Sequence, residues 1–307
     1  MASQTHFKLN TGASMPAIAF GTWAGLTKEE RLAAKLWIIS ALQAGYRHLD
    51  TAWFYGTEVS VGAAIRESGI PREDIFVTTK LPWHHCGKVA ESINQSLTNL
   101  GLDYVDLYLI HWPQAMKFYS DDNSMPRTAS GDLEVVEFPT FVETWAAMEQ
   151  VLASGKAKAI GVSNFSIKHL ERLLQTAKVV PAVNQVELNP LLTQNDLVAY
   201  SESKGIRVAA YTPSGYAAVR EHPTILELAT KYHSTANQIT LGWHLARGVA
   251  VVTASKNTER QQENLKPATL EWADIENITA LNRNLRQPLP TNENGKVMGW
   301  TLEQLGW

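Results

Sequence analysis

Apolar residues gather in short runs along this chain, at 17–20, 46–49, 75–77, 105–110, 157–162, 182–186, 206–211 and 249–252. Each run has the length of a buried strand. Between the runs, apolar positions recur at helical spacing. Leu32, Leu36 and Ile39 share one predicted face, as do Val89, Ile93 and Leu97, and Phe141, Trp145, Met148 and Leu152. Ser166 and Thr193 stand where helix N-caps are expected. Ahead of the first run, residues 8–16 read as a small hairpin, with Asn10-Thr11-Gly12 supplying the turn.

Eight strand–helix units predict a closed parallel (β/α)₈ TIM barrel with an N-terminal β-hairpin, and an open doubly wound sheet is the alternative. No Pro/Gly/Ser linker or charge run divides the units, so residues 1–307 are expected to form one domain. Two stretches break the rhythm, at 113–139 and 287–307. The first includes Ser120-Asp121-Asp122-Asn123-Ser124, and the second carries two prolines followed by Trp300 and Trp307. Irregular segments of that length in a compact domain usually serve as lids or binding loops.

Composition narrows the function. Hydrophobic residues make up 45% and charged residues 19%, an ordinary globular balance. The net charge is −3 without blocks of like charge, which argues against nucleic acid as a partner. Cys86 is the sole cysteine, so an internal disulfide and a cysteine-based zinc site are excluded and no metal is expected. The beginning of the chain lacks an apolar signal core, and no apolar run approaches the length of a membrane span. A cytoplasmic protein without a membrane partner is expected, as a monomer or weak homodimer.

In a parallel barrel all strand C-termini open on one rim. Asp50, Lys80 and His111 stand at or just past the ends of runs two, three and four, and Tyr55 lies in the loop after run two. Adjacent strands are about 4.8 Å apart, so these side chains can converge. Each residue alone is more often structural, and their joint placement is what points to chemistry. A phenol is a poor acid at neutral pH, and a neighbouring ammonium is expected to lower its pKa. A buried lysine needs a carboxylate, which Asp50 can supply. His111 can orient a substrate oxygen. The set describes an acid that protonates a carbonyl oxygen as a hydride reaches the carbon.

These residues also carry a resemblance. Gly45-Tyr46-Arg47-His48-Leu49-Asp50-Thr51-Ala52 with Tyr55-Gly56 is similar to the first signature of the aldo-keto reductases. Lys80 after Phe76-Val77-Thr78-Thr79, and Leu109-Ile110-His111-Trp112-Pro113, match that family's catalytic set. Gly161-Val162-Ser163-Asn164-Phe165 and Asn184-Gln185-Val186-Glu187 match its nicotinamide site. The resemblance covers essentially the whole chain. It implies a (β/α)₈ barrel and NADPH-linked reduction of a small carbonyl compound. Tyr55 would be the general acid, Asp50 and Lys80 would tune it, and His111 would position substrate.

Cofactor residues are expected at the same rim. Ser163, Asn164 and Gln185 end runs five and six and can hold a carboxamide, while Tyr211 ends run seven and can stack on the nicotinamide. Thr22 and Trp23 follow run one, near a diphosphate and ribose, with Asp50 close by. No G-x-G-x-x-G is present, which excludes a Rossmann cradle. After run eight, Ser255, Lys256, Asn257, Arg260, Glu263 and Asn264 are further candidates. Lys256 and Arg260, four apart, are expected on one face of a starting helix that suits a 2′-phosphate. Two segments depart from the family pattern. Thr253-Ala254-Ser255-Lys256 replaces the usual Ile-Pro-Lys-Ser, and Thr212-Pro213-Ser214-Gly215 replaces Ser-Pro-Leu-Gly.

Substrate is expected at Trp23, Tyr55, His111 and Trp112, with Trp53, Trp83 and Trp300 as further candidate walls. Lys117 and Arg127 in the long loop are candidates for attracting an anionic substrate such as a sugar acid. Aldoses and uronic acids are the leading substrates. The rivals are a non-catalytic cofactor-sensing subunit and a Schiff-base aldolase using Lys80.

Overall fold

The computed structural model describes residues 5–120, 125–287 and 291–307. The very start of the chain, Asp121-Asp122-Asn123-Ser124 of the long loop and the two tail prolines lie outside them. Eight parallel strands close a barrel: β1 (Ile18–Gly21), β2 (His48–Asp50), β3 (Phe76–Leu81), β4 (Leu107–Ile110), β5 (Ile160–Ser163), β6 (Val183–Glu187), β7 (Arg207–Tyr211) and β8 (Ala250–Thr253). Each strand pairs with the next in sequence, and β8 returns to β1. All eight expected runs therefore became strands, and the open sheet is excluded.

Strand side chains alternate between the barrel axis and the helices. In β3, Val77 and Leu81 face the outer helical layer, whereas Phe76 joins a separate inner group with Leu107, Leu109, Ala159, Val183, Ala209 and Ala250. Leu9 and Met15 of the antiparallel hairpin His6–Lys8/Ser14–Pro16 complete that inner group and close the bottom of the barrel.

The outer layer follows local sequence signals. Helix α1 (Lys28–Ala44) begins at a Thr27/Glu30 capping box, and α4 (Phe141–Ala153) at a Thr140/Glu143 box. Helices α2 (Glu58–Ser68) and α3 (Val89–Leu100) approach so closely that a Cβ on Gly62 would stand 1.9 Å from the Leu100 carbonyl oxygen. The apolar faces of α3 and α4 are buried as expected, although Leu152 is only partly covered. The face expected for α1 is wrong. Leu32 and Leu36 are exposed, and Ala34, Ile38, Ala41 and Leu42 form the buried stripe. Two apolar stripes overlap on that helix, and the one bearing Ile38 and Leu42 is the one turned into the core. Ser166 does take the N-cap of α5 (Ile167–Leu174), but the N-cap of α6 (Asn195–Ser203) is Gln194 rather than Thr193.

The long loop folds back as a short ribbon, Ala115–Met116 against Val135–Val136. The tail forms a second ribbon, Lys296–Val297 with Trp300–Thr301, and then a short helix, Leu302–Leu305. Both cover the C-terminal rim, where Leu133 and Val297 pack with Phe54, Trp83 and Trp112. No helix among the described residues is long and apolar enough to cross a membrane.

Candidate active site

Asp50 ends β2 and Lys80 lies near the end of β3, on neighbouring strands in register Asp50–Thr78. The two side chains meet at the barrel axis. Lys80 Nζ donates to Asp50 Oδ1 at 2.6 Å and to the Thr51 carbonyl at 2.9 Å. Lys80 is wholly buried and Asp50 is 2% exposed, so this pair is shielded from bulk water. Burial pushes the lysine's pKa down, but Asp50 and Tyr55 more than offset it and hold its pKa above the ordinary value.

Tyr55 closes the one-turn helix Trp53–Tyr55 directly after β2. The turn returns its half-buried ring over the lysine, with Nζ 5.0 Å from the ring centroid. Burial is the largest influence on this phenol and raises its pKa, with Asp50 acting in the same sense and Lys80 opposing both. The lowering expected from Lys80 alone is therefore outweighed. Tyr55 carries its proton and remains a donor.

His111 follows β4. Its ring stands 5.6 Å from that of Tyr55, edge to face, and 5.5 Å from that of Trp83. Burial, reinforced by the Lys80 charge, drives its pKa well below the usual histidine range, so the imidazole is neutral. Its Nδ1 is buried and has no hydrogen-bond partner among the described residues.

The expected carboxamide residues are wired to the same centre. Gln185 Nε2 donates to Asp50 Oδ2 at 2.7 Å. Ser163 Oγ donates to the Gln185 carbonyl at 2.8 Å, and Asn164 Nδ2 to the His111 carbonyl at 3.0 Å. Tyr211 Oη donates to Asn164 Oδ1 at 2.7 Å. Thr22, fully buried, donates through Oγ1 to the Asp50 carbonyl at 3.1 Å. With Asn164 Nδ2 also donating to Ser163 Oγ at 3.2 Å, the strand ends that carry Asp50, His111, Ser163, Asn164, Gln185 and Tyr211 share one hydrogen-bonded network.

Beyond β7, Thr212 has φ 51° and Gly215 has φ 56°, and Gly215 N–H donates to the Thr212 carbonyl at 3.0 Å. A Cβ on Gly215 would meet Val219 Cγ2 at 2.1 Å, so only glycine fits this turn. Pro213 within it is held through its carbonyl by His244 Nε2 at 3.0 Å, and Ser214 beside it is half-buried. Beyond β8 the helix Thr258–Asn264 starts at Asn257, whose Oδ1 accepts from the Arg260 N–H at 2.9 Å. Lys256 precedes that cap. It and Arg260 are both exposed, but they do not share a helical face as the sequence suggested. Ser255 Oγ accepts from the Asn257 N–H at 3.1 Å. Glu263 is half-buried, and Asn264 is buried with its Oδ1 unpartnered.

A nicotinamide dinucleotide with a 2′-phosphate fits these residues. Polar groups line the strand ends, the half-buried Tyr211 ring lies beside them, and two exposed cations flank Asn257. An orphaned acceptor waits on Asn264.

The aromatic walls are partly as expected. Trp23 is 44% exposed and stands edge-on to Tyr55, with centroids 5.3 Å apart. Trp83 and Trp112 pack with Phe54, Met116, Leu133 and Val297, and Tyr55 borders that cluster. Trp53 instead turns toward His84 and His85, and Trp300 lies 5.7 Å from His169 at the cluster's edge. Lys117 does not offer a free charge, because Glu134 holds its Nζ at 2.8 Å. Arg127 is turned onto the Gly131 carbonyl at 2.6 Å. Sequence reasoning missed Phe54, Met116, Leu133 and Val297. No local signal marks them, since loops from three distant parts of the chain bring them together.

The Aldo/keto reductase family pattern matches residues 17–283, and the chain belongs to that family of oxidoreductases. It is 42% identical over 291 residues to an aldehyde reductase of Saccharomyces cerevisiae, with 92% of each chain covered. It is 44% identical over 287 residues to a glycerol 2-dehydrogenase (NADP(+)) of the same yeast, with 90% of each covered. Among solved structures, a Bombyx mori aldo-keto reductase in complex with NADP superposes with TM-score 0.82 at 35% identity, covering 93% of this chain and 95% of that one. The aldose reductase of Schistosoma japonicum superposes with TM-score 0.88 at 31% identity, covering 98% and 99%.

Proposed function

We propose that this protein uses NADPH to reduce an aldehyde or ketone to the alcohol, with Tyr55 as the proton donor. The observation that carries the reading is the buried ammonium of Lys80, held by Asp50 at 2.6 Å and facing the Tyr55 ring at 5.0 Å. A carbonyl oxygen seated between Tyr55 and the neutral His111 receives a hydrogen bond from each, and takes its proton from the phenol as negative charge develops. Lys80 stabilises the phenolate left behind, and Asp50 with Gln185 keeps Lys80 in place. The cofactor, when bound, supplies the hydride. Ser163, Asn164 and Gln185 would hold its carboxamide, with the Tyr211 ring beside them. Thr22, Trp23 and the turn Thr212-Pro213-Ser214 would border its diphosphate. Ser255, Lys256, Asn257 and Arg260 would take its 2′-phosphate, with Glu263 and Asn264 as further contacts. The relatives named for NADP support this assignment.

For the substrate, the apolar lining and the engagement of Lys117 and Arg127 favour a neutral carbonyl, an aldose or a small aliphatic ketone, over a uronic acid. Relatives named for glycerol and for aldose point the same way. A Schiff-base role for Lys80 needs a neutral amine, and Asp50 opposes that. The test is carbonyl-dependent consumption of NADPH over a panel of aldoses, aldehydes and ketones. Tyr55→Phe should lower kcat by about 10²–10⁴-fold while leaving NADPH binding, read by tryptophan quenching, unchanged. Retained turnover in that variant would remove the acid role, and an inactive wild-type enzyme across the panel would remove the reading itself.

A further inference from the structure

One buried carboxyl has no part in the chemistry above. Glu58 is the first residue of α2, three positions after Tyr55, and it is 1% exposed. A carboxylate at a helix N-terminus ordinarily reaches solvent or the free N–H groups. This one points inward behind β3. Its Oε1 accepts from Thr79 Oγ1 at 2.7 Å, and its Oε2 accepts from Asn99 Nδ2 at 3.0 Å. Thr79 is the residue before Lys80. Because strand side chains alternate, Thr79 faces the helices while Lys80 faces the axis. One carboxyl therefore joins the start of α2, the strand that bears the lysine, and α3. Val77 and Leu81 on the same face of β3 join the apolar core, so Thr79 is the polar position on that face.

We propose that Glu58 is a positioning residue: its bond to Thr79 ties the turn that carries Tyr55 to the strand that carries Lys80 and thereby sets the separation of phenol and ammonium. The proposal rests on the reading of Tyr55 as the acid. Lys80 acts on Tyr55 through their proximity, and Asp50 opposes it. Loosening the tie weakens the lysine's influence without removing any group that touches substrate or cofactor. Neighbouring groups do not confuse the readout. Asp50, the neutral His111 and Tyr211 face Tyr55 and are unchanged in the variants. Glu58 itself is flanked by Thr79, Asn99 and the Tyr108 phenol, which stays protonated.

The experiment compares Glu58→Leu, Glu58→Gln and Thr79→Val with wild type in carbonyl reduction across pH. Misplacement of reacting groups by a fraction of an ångström to 1 Å costs about 10–100-fold, and a fall of that size in kcat is expected for Glu58→Leu and Thr79→Val. NADPH affinity and the carbonyl KM should be unchanged. The alkaline limb of the kcat profile, which reports loss of the Tyr55 proton, should move to higher pH. Glu58→Gln keeps an acceptor for Thr79 and should restore both rate and limb. A purely structural role would lower stability and leave the limb in place, and that result in Glu58→Leu would overturn the proposal. Should Glu58→Leu fail to fold, Thr79→Val removes the same bond from the strand side with almost no change in volume, and an unshifted limb there overturns it equally. Tyr55→Phe separates the two readings. If that variant turns over normally, the acid assignment has failed. If it is inactive while Thr79→Val and Glu58→Leu match wild type, only the role of Glu58 has failed.

Discussion

Replacing Lys80 by Met isolates the ion pair on which the site is built. The side chains are of similar length, so packing is nearly preserved while one charge disappears. Lys80 is fully buried and Asp50 is 2% exposed, so solvent does not screen the loss. Stripping one partner from a buried pair typically costs about 3–5 kcal/mol, because the other charge is left without compensation. Asp50 would still receive the Gln185 amide at 2.7 Å, which places this case at the lower end, about 3 kcal/mol. Urea unfolding should show that loss as a lower midpoint with an unchanged slope. Adding Asp50→Asn removes the stranded charge while keeping an acceptor for Gln185, so the double variant should regain most of the lost stability. Neither variant should reduce carbonyls at a useful rate, since both lack the ammonium beside Tyr55. A Lys80→Met protein as stable as wild type, or a double variant no more stable than the single, would show that the pair is not the electrostatic unit described above.

Acidification should destabilise the fold through its buried imidazoles. His169 and His244 are held down to about 4 and about 3 and His111 lies well below the ordinary value, all chiefly by burial. Their contribution is complete above the unfolded pKa of about 6.5 and is lost as pH falls toward the folded values, at up to about 1.4 kcal/mol per group per pH unit. Denaturation measured from pH 7 to pH 5 should show that decline, and a flat curve would refute it. The same logic keeps His111 neutral around the ordinary histidine pKa of about 6.5, so its NMR resonances should not titrate there. Lys256→Ala or Arg260→Ala should weaken NADPH binding by about tenfold and leave NADH binding unchanged, with the difference shrinking at high salt. Equal losses for both cofactors would relocate the phosphate.

Much of the site was legible because barrel geometry converts strand order into proximity. Asp50, Lys80 and His111 needed only to stand at the ends of neighbouring strands for the fold to gather them. Features that depend on where helices and loops settle were not legible. On α1 two apolar stripes competed, and Leu32 and Leu36 became the exposed one. Lys256 and Arg260 looked like helix neighbours, but the cap falls between them at Asn257. Lys117 looked like a free cation until the ribbon brought Glu134 across from it. Glu58 carries no signal of burial, since a glutamate opening a helix normally faces water.

The hairpin beneath the barrel carries a consequence of its own. With Leu9 and Met15 stoppering the floor, the buried ammonium faces the rim. The mouth of the vessel is at that end, and the alcohol leaves by the doorway that admitted the carbonyl. Traffic through this protein is consequently governed by the loops at the top, and substitutions in the hairpin should alter how long the vessel survives while leaving what it accepts untouched.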